Sequence, residues 1–388
     1  MRTIKHILVF IAIFAFMPTA YCGARDSLRH ALSLQIGGGY NLTGHYYYKG
    51  SNPDNRRLNK HLAFNLRYSF AFNPQTTIGQ DYPTAYQGIG IATHTFFAHR
   101  SLGTPLAVYL FQGGRILDFS KSIGVGYEWN FGISWGWVAN DATRSTCNAM
   151  INISLPFTWQ IGSGWELSLA PTYTHFSNGD TAFPNSGIDS YGVKLGVTKR
   201  FDNIKERAAG RKYISSHPSL RDKHFWERVS WDVLVYGGWR ADRFMSNGKF
   251  CLINKPFPNW GAQINPLYHF NQYFSLGASI DIFTDTSANL YNATFDPATG
   301  EVSGYSKPSL WEQTAVALSV RGEIRMPFCS VGVGIGSNII QHGYDMKRLY
   351  SVFGLKIFVI KDAFIYVGYR LSTLKYTRNI MYGFGYRF

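Results

Sequence analysis

Cysteine, charge and long apolar runs are all scarce in this 388-residue chain. Its four cysteines are Cys22, Cys147, Cys251 and Cys329. The last three are scattered without metal-ligand spacing and are odd in number, so neither a disulfide framework nor a cysteine metal site organises the fold. Beyond the N-terminus there is no run of about 18 or more apolar residues, which excludes a membrane-spanning helix. Charged residues make up only 16% of the chain, and acids are outnumbered by bases, 23 to 38. The resulting net charge of +15 favours anionic partners. Nucleic acid fits an exported, aromatic-rich chain badly, and a phosphorylated lipid surface fits it better. The competing reading is that the charge only keeps the chain soluble.

Aromatic residues, at 16%, and 39 glycines are abundant instead. The N-terminus reads as a secretory signal peptide over residues 1–24. It has a basic start through Lys5, an apolar run from Ile7 to Met17, and small residues at Ala20 and Ala24. Cleavage after Ala20, Cys22 or Ala24 suits this pattern, while Thr19-Ala20-Tyr21-Cys22 makes a poor lipoprotein signal because Tyr21 is bulky.

The dominant pattern after the signal is strict alternation. From Ile123 to Trp137 the odd positions are all large and apolar, and Gly124, Gly126, Glu128, Asn130, Gly132, Ser134 and Gly136 fill the even ones. Side chains on a strand alternate faces, so one side of this strand suits lipid and the other a packed or polar interior. Transmembrane barrels require that arrangement. Comparable segments recur from about residue 30 to the C-terminus, some sixteen in all, an even number as bacterial barrels have. A β-sandwich would also alternate, but with shorter strands and a polar outer face. The end of the chain, Met381-Tyr382-Gly383-Phe384-Gly385-Tyr386-Arg387-Phe388, resembles the terminal strand signal of outer-membrane proteins. The fold class expected is therefore an all-β, antiparallel outer-membrane barrel.

Residues 202–228 interrupt the alternation with a charged stretch that includes Lys205, Arg207, Arg211, Lys212, Arg221, Lys223 and Arg228. It reads as a basic periplasmic linker between a first half, residues 25–201, and a second, residues 229–388. About eight strands lie on each side, and Phe201 echoes Phe388, as an old duplication would leave them. One barrel of about sixteen strands and two tandem eight-stranded barrels both satisfy the pattern. The single terminal signal favours one barrel slightly.

Thr174-His175-Phe176-Ser177-Asn178-Gly179-Asp180, followed by Pro184-Asn185-Ser186-Gly187-Ile188-Asp189-Ser190-Tyr191, carries the chemistry. Trp165, Leu167, Leu169, Tyr173, His175 and Ser177 share one parity, and Asp189, Tyr191, Val193, Leu195 and Val197 share the matching one. The glycine- and proline-containing loop returns the chain antiparallel, which puts Asp189 across from His175, at ~4.5–5.5 Å between Cβ atoms. Ester hydrolysis by a serine needs a nucleophile, a base beside it and a carboxylate to orient the base. Oxyanion donors are available from Asn178, Asn185 and the backbone around Gly179. All three reactive groups sit on the apolar face, which is unusual for a soluble hydrolase and apt for one whose substrate is a membrane lipid. The competing reading makes His175 and Ser177 interfacial polar residues at a barrel rim.

The run His175-Phe176-Ser177-Asn178, Pro184-Asn185 and Gly187-Ile188-Asp189-Ser190-Tyr191 resembles the signature of the PagL family of lipid A 3-O-deacylases, outer-membrane barrel esterases. The resemblance covers about residues 30–201. Pro105–Gly113 and Tyr127–Asn130 also look like longer relatives, the acyloxyacyl hydrolases. It implies Ser177 as nucleophile, His175 as general base and Asp189 as the orienting acid, with Asn178 or Asn185 holding the oxyanion. The apolar residues Trp165, Leu167, Leu169 and Tyr173 would cradle the acyl chain. The implied mechanism is acyl transfer to Ser177 followed by hydrolysis, with no metal and no cofactor. Lipid A within lipopolysaccharide would be the substrate, outer-membrane lipids the surroundings, and nucleic acid no partner; no oligomeric state is implied. One departure is visible, because the family's best-known members use glutamate where this chain has Asp189. Two other functions compete: a passive porin or structural barrel, for which about sixteen strands would enclose a channel, and a phospholipase of the same chemistry.

Overall fold

The computed structural model of the chain describes residues 28–42, 44–74, 76–162, 164–179, 181–201, 224–246, 249–296, 302–343, 346, 348–360, 362–372 and 376–388. The expected signal peptide, Cys22, Asp180 and residues 202–223 of the expected linker lie outside them. Among the described residues the strands close into two eight-stranded barrels, not the single ring that the lone terminal signal favoured.

The first barrel runs β1 (Leu28–Leu42), β2 (Lys60–Phe72), β3 (Tyr86–Thr95), β4 (Gly103–Asp118), β5 (Ile123–Trp137), β6 (Cys147–Ser154), β7 (Phe157–Gln160), β8 (Trp165–Ser177) and β9 (Ile188–Arg200). Its neighbours pair antiparallel, and β9 returns to β1 over Ala31–Leu42, which closes the ring. The short β7 continues the line of β6 after the break at Leu155-Pro156, and both pair with β5 and β8.

The second barrel comprises β10 (Val229–Ser246), β11 (Lys249–His269), β12 (Phe274–Asp285), β15 (Thr314–Arg325), β16 (Cys329–Ile340), β17 (Leu349–Ile360), β18 (Ala363–Ser372) and β19 (Tyr376–Arg387). A separate hairpin of β13 (Tyr291–Phe295) and β14 (Val302–Ser306) stands in the connection from β12 to β15. The terminal strand β19 pairs with β10. Each half thus satisfies its own edge strands, and no edge is left from which a wider ring could be built.

Alternation sorts the side chains as expected of a barrel in lipid. On β9, Leu195 is 56% exposed and its inward neighbour Lys194 only 7%. Inward charges are paired. In the first barrel Glu128 accepts from Arg67 at 2.6 Å, from Tyr86 at 3.0 Å and from Lys194 at 3.4 Å. In the second, Lys356 bridges Asp232 and Glu323 at 2.5 Å each, and Arg387 meets the same two acids at 2.6–2.7 Å. Eight strands leave an interior just wide enough for such side chains. The wide aqueous channel that a porin reading needs is not formed.

Above the charged layer of the first barrel, Tyr47, Tyr48, Phe96, Leu102, Trp137, Phe176 and Ile188 pack into an apolar cluster. That cluster positions the ends of β8 and β9 that carry His175, Ser177 and Asp189.

Candidate active site

Phe176 and Ile188 are register partners, and both point into the apolar cluster. The Phe176 ring packs against Trp137 and His94, each at 5.0 Å between ring centroids. Anchoring these inward residues sends their chain neighbours His175, Ser177 and Asp189 to the outer face, because side chains alternate along a strand. His175 and Asp189 are directly opposite in register. The imidazole Nδ1 donates to Asp189 Oδ1 at 2.7 Å, so the aspartate, short as it is, reaches the ring without a bridging water. That bond leaves Nε2 as the nitrogen free of the carboxylate, and Ser177 lies two residues further along the same face. Both side chains are about one third exposed, 32% and 34%.

Ser177 is buried at the end of β8. Asn185 Nδ2 donates to its Oγ at 2.9 Å, and Asn185 Oδ1 accepts from the Asn178 amide at 3.3 Å. Asn185 is itself fixed from the loop between β5 and β6. It forms an isolated bridge with Thr143, beside hydrogen bonds from the Arg144 amide to Pro184 O at 2.9 Å and from the Ser186 amide to Ala142 O at 2.8 Å. Asn140 Oδ1 in turn accepts from the amides of Ala142 and Thr143. The loop carrying the polar group nearest the serine is therefore braced by a second loop.

Gly179 and Gly187 both have left-handed φ, +65° and +61°, a conformation that disfavours any side chain. At Gly187 a Cβ would also come within 3.0 Å of Phe176 O and 3.2 Å of His175 Cε1. A glycine there gives the imidazole its room.

Of the residues expected to line an acyl groove, Tyr173 is beside the reactive groups. Leu169, Leu167 and Trp165 lie ~26 Å or more down β8 from Ser177, at ~3.3 Å per residue. On the other side of β8, Ala149 of β6 faces Ser177, Ile151 faces His175 and Ile153 faces Tyr173. They went unnoticed in the sequence because only the register of β6 against β8 brings them there. Tyr173 itself donates to Asp189 Oδ1 at 2.5 Å. Among the described residues no group of three or more His, Cys, Asp or Glu side chains is placed to hold a metal.

A family model described as lipid A 3-O-deacylase (PagL) matches residues 116–198. A second, described as the C-terminal domain of acyloxyacyl hydrolase, matches residues 229–388, a stretch the resemblance in the sequence had not reached. Among solved structures the chain is similar to the outer membrane enzyme PagL at 15% identity, over 43% of this chain and 97% of that one, with a TM-score of 0.27. It is also similar to CdiB from Acinetobacter baumannii, at 9% identity over 93% and 60% of the two chains with a TM-score of 0.19. The translocator domain of the autotransporter NalP from Neisseria meningitidis is similar at 10% identity over 100% and 98%, with a TM-score of 0.18. No curated protein matches the chain.

Proposed function

Since the chain belongs to the PagL family, with a lipid A 3-O-deacylase match in its first half and an acyloxyacyl hydrolase C-terminal match in its second, we propose that it is an outer-membrane serine esterase that removes an ester-linked acyl chain from lipid A. The observation that carries this reading is the 2.7 Å bond from His175 to Asp189 on the lipid-facing surface, two residues from Ser177. A triad on that surface meets its substrate without lifting it out of the membrane.

The connections at the end of the first barrel that carries Ser177 are residues 43–59, 96–102, 138–146 and 178–187, and those at the other end are 73–85, 119–122 and 161–164, the last two being tight turns. Outer-membrane barrels keep short turns on the periplasmic side and longer loops outside. The reactive groups then lie at the outer-leaflet rim, where lipid A resides.

In the reaction, Ser177 Oγ attacks the ester carbonyl while His175 Nε2 takes its proton. Asp189 holds Nδ1–H and stabilises the imidazolium that forms. The carbonyl oxygen gathers charge as the tetrahedral centre forms, and Asn185 Nδ2 with the backbone around Gly179 would supply the donors. Collapse expels the sugar hydroxyl, which takes the proton from His175. A water activated by the same imidazole then releases the fatty acid and restores Ser177. The acyl chain lies along the seam of β6 and β8, over Ala149, Ile151 and Ile153, and continues toward Leu169, Leu167 and Trp165.

Mass spectrometry of lipid A from cells producing the wild-type chain or Ser177→Ala tests the reading. It expects lipid A lighter by one acyl chain with the wild type alone. Identical spectra from the two, with both proteins folded in the outer membrane, would refute lipid A as substrate and bring phospholipids forward.

A further inference from the structure

Asp189 Oδ1 accepts two hydrogen bonds, from His175 Nδ1 at 2.7 Å and from the Tyr173 hydroxyl at 2.5 Å. Nothing in the reaction above uses the second. Tyr173 precedes His175 by two positions on the same outward face of β8, and its register partner is Tyr191, two positions beyond Asp189 on β9. The phenol therefore reaches Asp189 along the diagonal of the strand pair, a span of ~7–8 Å that aromatic side chains cover.

We propose that Tyr173 is a positioning residue: it fixes the carboxylate of Asp189 so that Oδ1 stays in line with the His175 imidazole. The inference rests on the esterase reading and deepens it. The need for such a brace follows from where Asp189 sits. Its side chain is 34% exposed at the rim of the barrel, where headgroups and water compete for a carboxylate. A buried triad acid is held by its surroundings, but this one has a lipid-facing flank. Rotation about the Cα–Cβ bond would carry the carboxylate away from the ring and release the imidazole with it. A phenol converging on the same oxygen opposes that rotation, because both donors are satisfied only in the orientation that serves His175. The ring also lies against the strand pair on the β9 side, which leaves the Ile151 and Ile153 side of β8 for the acyl chain.

The test is a double-mutant cycle on the purified full-length chain in detergent micelles, with a long-chain p-nitrophenyl ester as substrate. Tyr173→Phe removes only the hydroxyl. Loss of a group that aligns the base slows the chemical step, so kcat should fall by about tenfold while KM stays within about twofold. In an Asp189→Ala background the same change should have no further effect, because the group it acts through is gone. Heat-modifiable gel mobility reports whether each variant is folded. A full wild-type kcat in Tyr173→Phe overturns the inference, as does an equal tenfold loss in both backgrounds, which would mark a structural role. Ser177→Ala, run alongside, separates the two levels. If it hydrolyses the ester as fast as the wild type, the esterase reading fails and takes this inference with it. If it is inactive while Tyr173→Phe is unimpaired, only the inference fails.

Discussion

In the first barrel Glu128 is clasped by Arg67 and Lys194; in the second, Asp232 and Glu323 are clasped by Lys356 and Arg387. Both interiors hold a buried, paired charge cluster beside an apolar one. Their outer faces are not alike. The seventh strand of the first ring, β8, presents Tyr173, His175 and Ser177 outward near its end. The seventh strand of the second ring, β18, has Val367, Tyr369 and Leu371 at one parity, with Val367 itself buried, and the buried Phe364, Tyr366 and Arg370 at the other. On the proposed reading, function belongs to the outer face of the first barrel near its loops, and the buried charge clusters of both interiors serve stability.

Five substitutions can break or sharpen that contrast. Ser177→Ala should give the largest effect, a loss of about 10³-fold or more in ester hydrolysis, read by fatty-acid release, with folding intact. Asp189→Asn should follow with a loss of about 10²–10⁴-fold, since the amide cannot hold the same tautomer of His175. Equal activity in either variant would remove the chemistry from the outer face of the first barrel.

Interior substitutions should move stability instead. Glu128→Ala leaves Arg67 and Lys194 buried without their acid, and Lys356→Met leaves Arg387 alone between two carboxylates. Each should lower unfolding free energy by about 3–5 kcal/mol in urea titrations followed by tryptophan fluorescence. Lys356→Met should leave the hydrolysis rate per folded molecule unchanged, and a large drop in that rate would blur the distinction between the two barrels. Gly187→Ala is the mildest change. It forces a left-handed backbone on a Cβ that presses on His175, and about a tenfold drop in kcat is expected.

Much of this was legible in the sequence because period-two alternation survives wherever lipid meets one face of a strand. It marked Ile123–Trp137 and most other strands, and it put His175, Ser177 and Asp189 on one surface. Ring closure was not legible. Whether β9 pairs with β1 or with β10 depends on tertiary contacts that leave no trace in the hydropathy of either strand. The hairpin of β13 and β14, and the extension of β10 and β11 beyond residues 239 and 261, also escaped. Their sequences, such as Lys255-Pro256-Phe257-Pro258, lack the period-two alternation by which the other strands could be read. Neighbours set by register alone, such as Ala149 and Ile151, were invisible, while the pairing of Asp189 with His175 was legible because a short loop fixes it.

The most direct test is to label the folded protein with a serine-directed alkyl fluorophosphonate and map the modified residue by peptide mass spectrometry. The account predicts phosphonylation at Ser177, lost in Ser177→Ala and slowed in Asp189→Asn, with no modified serine in residues 229–388. Labelling confined to the second barrel, or none in a preparation that hydrolyses ester, would contradict it.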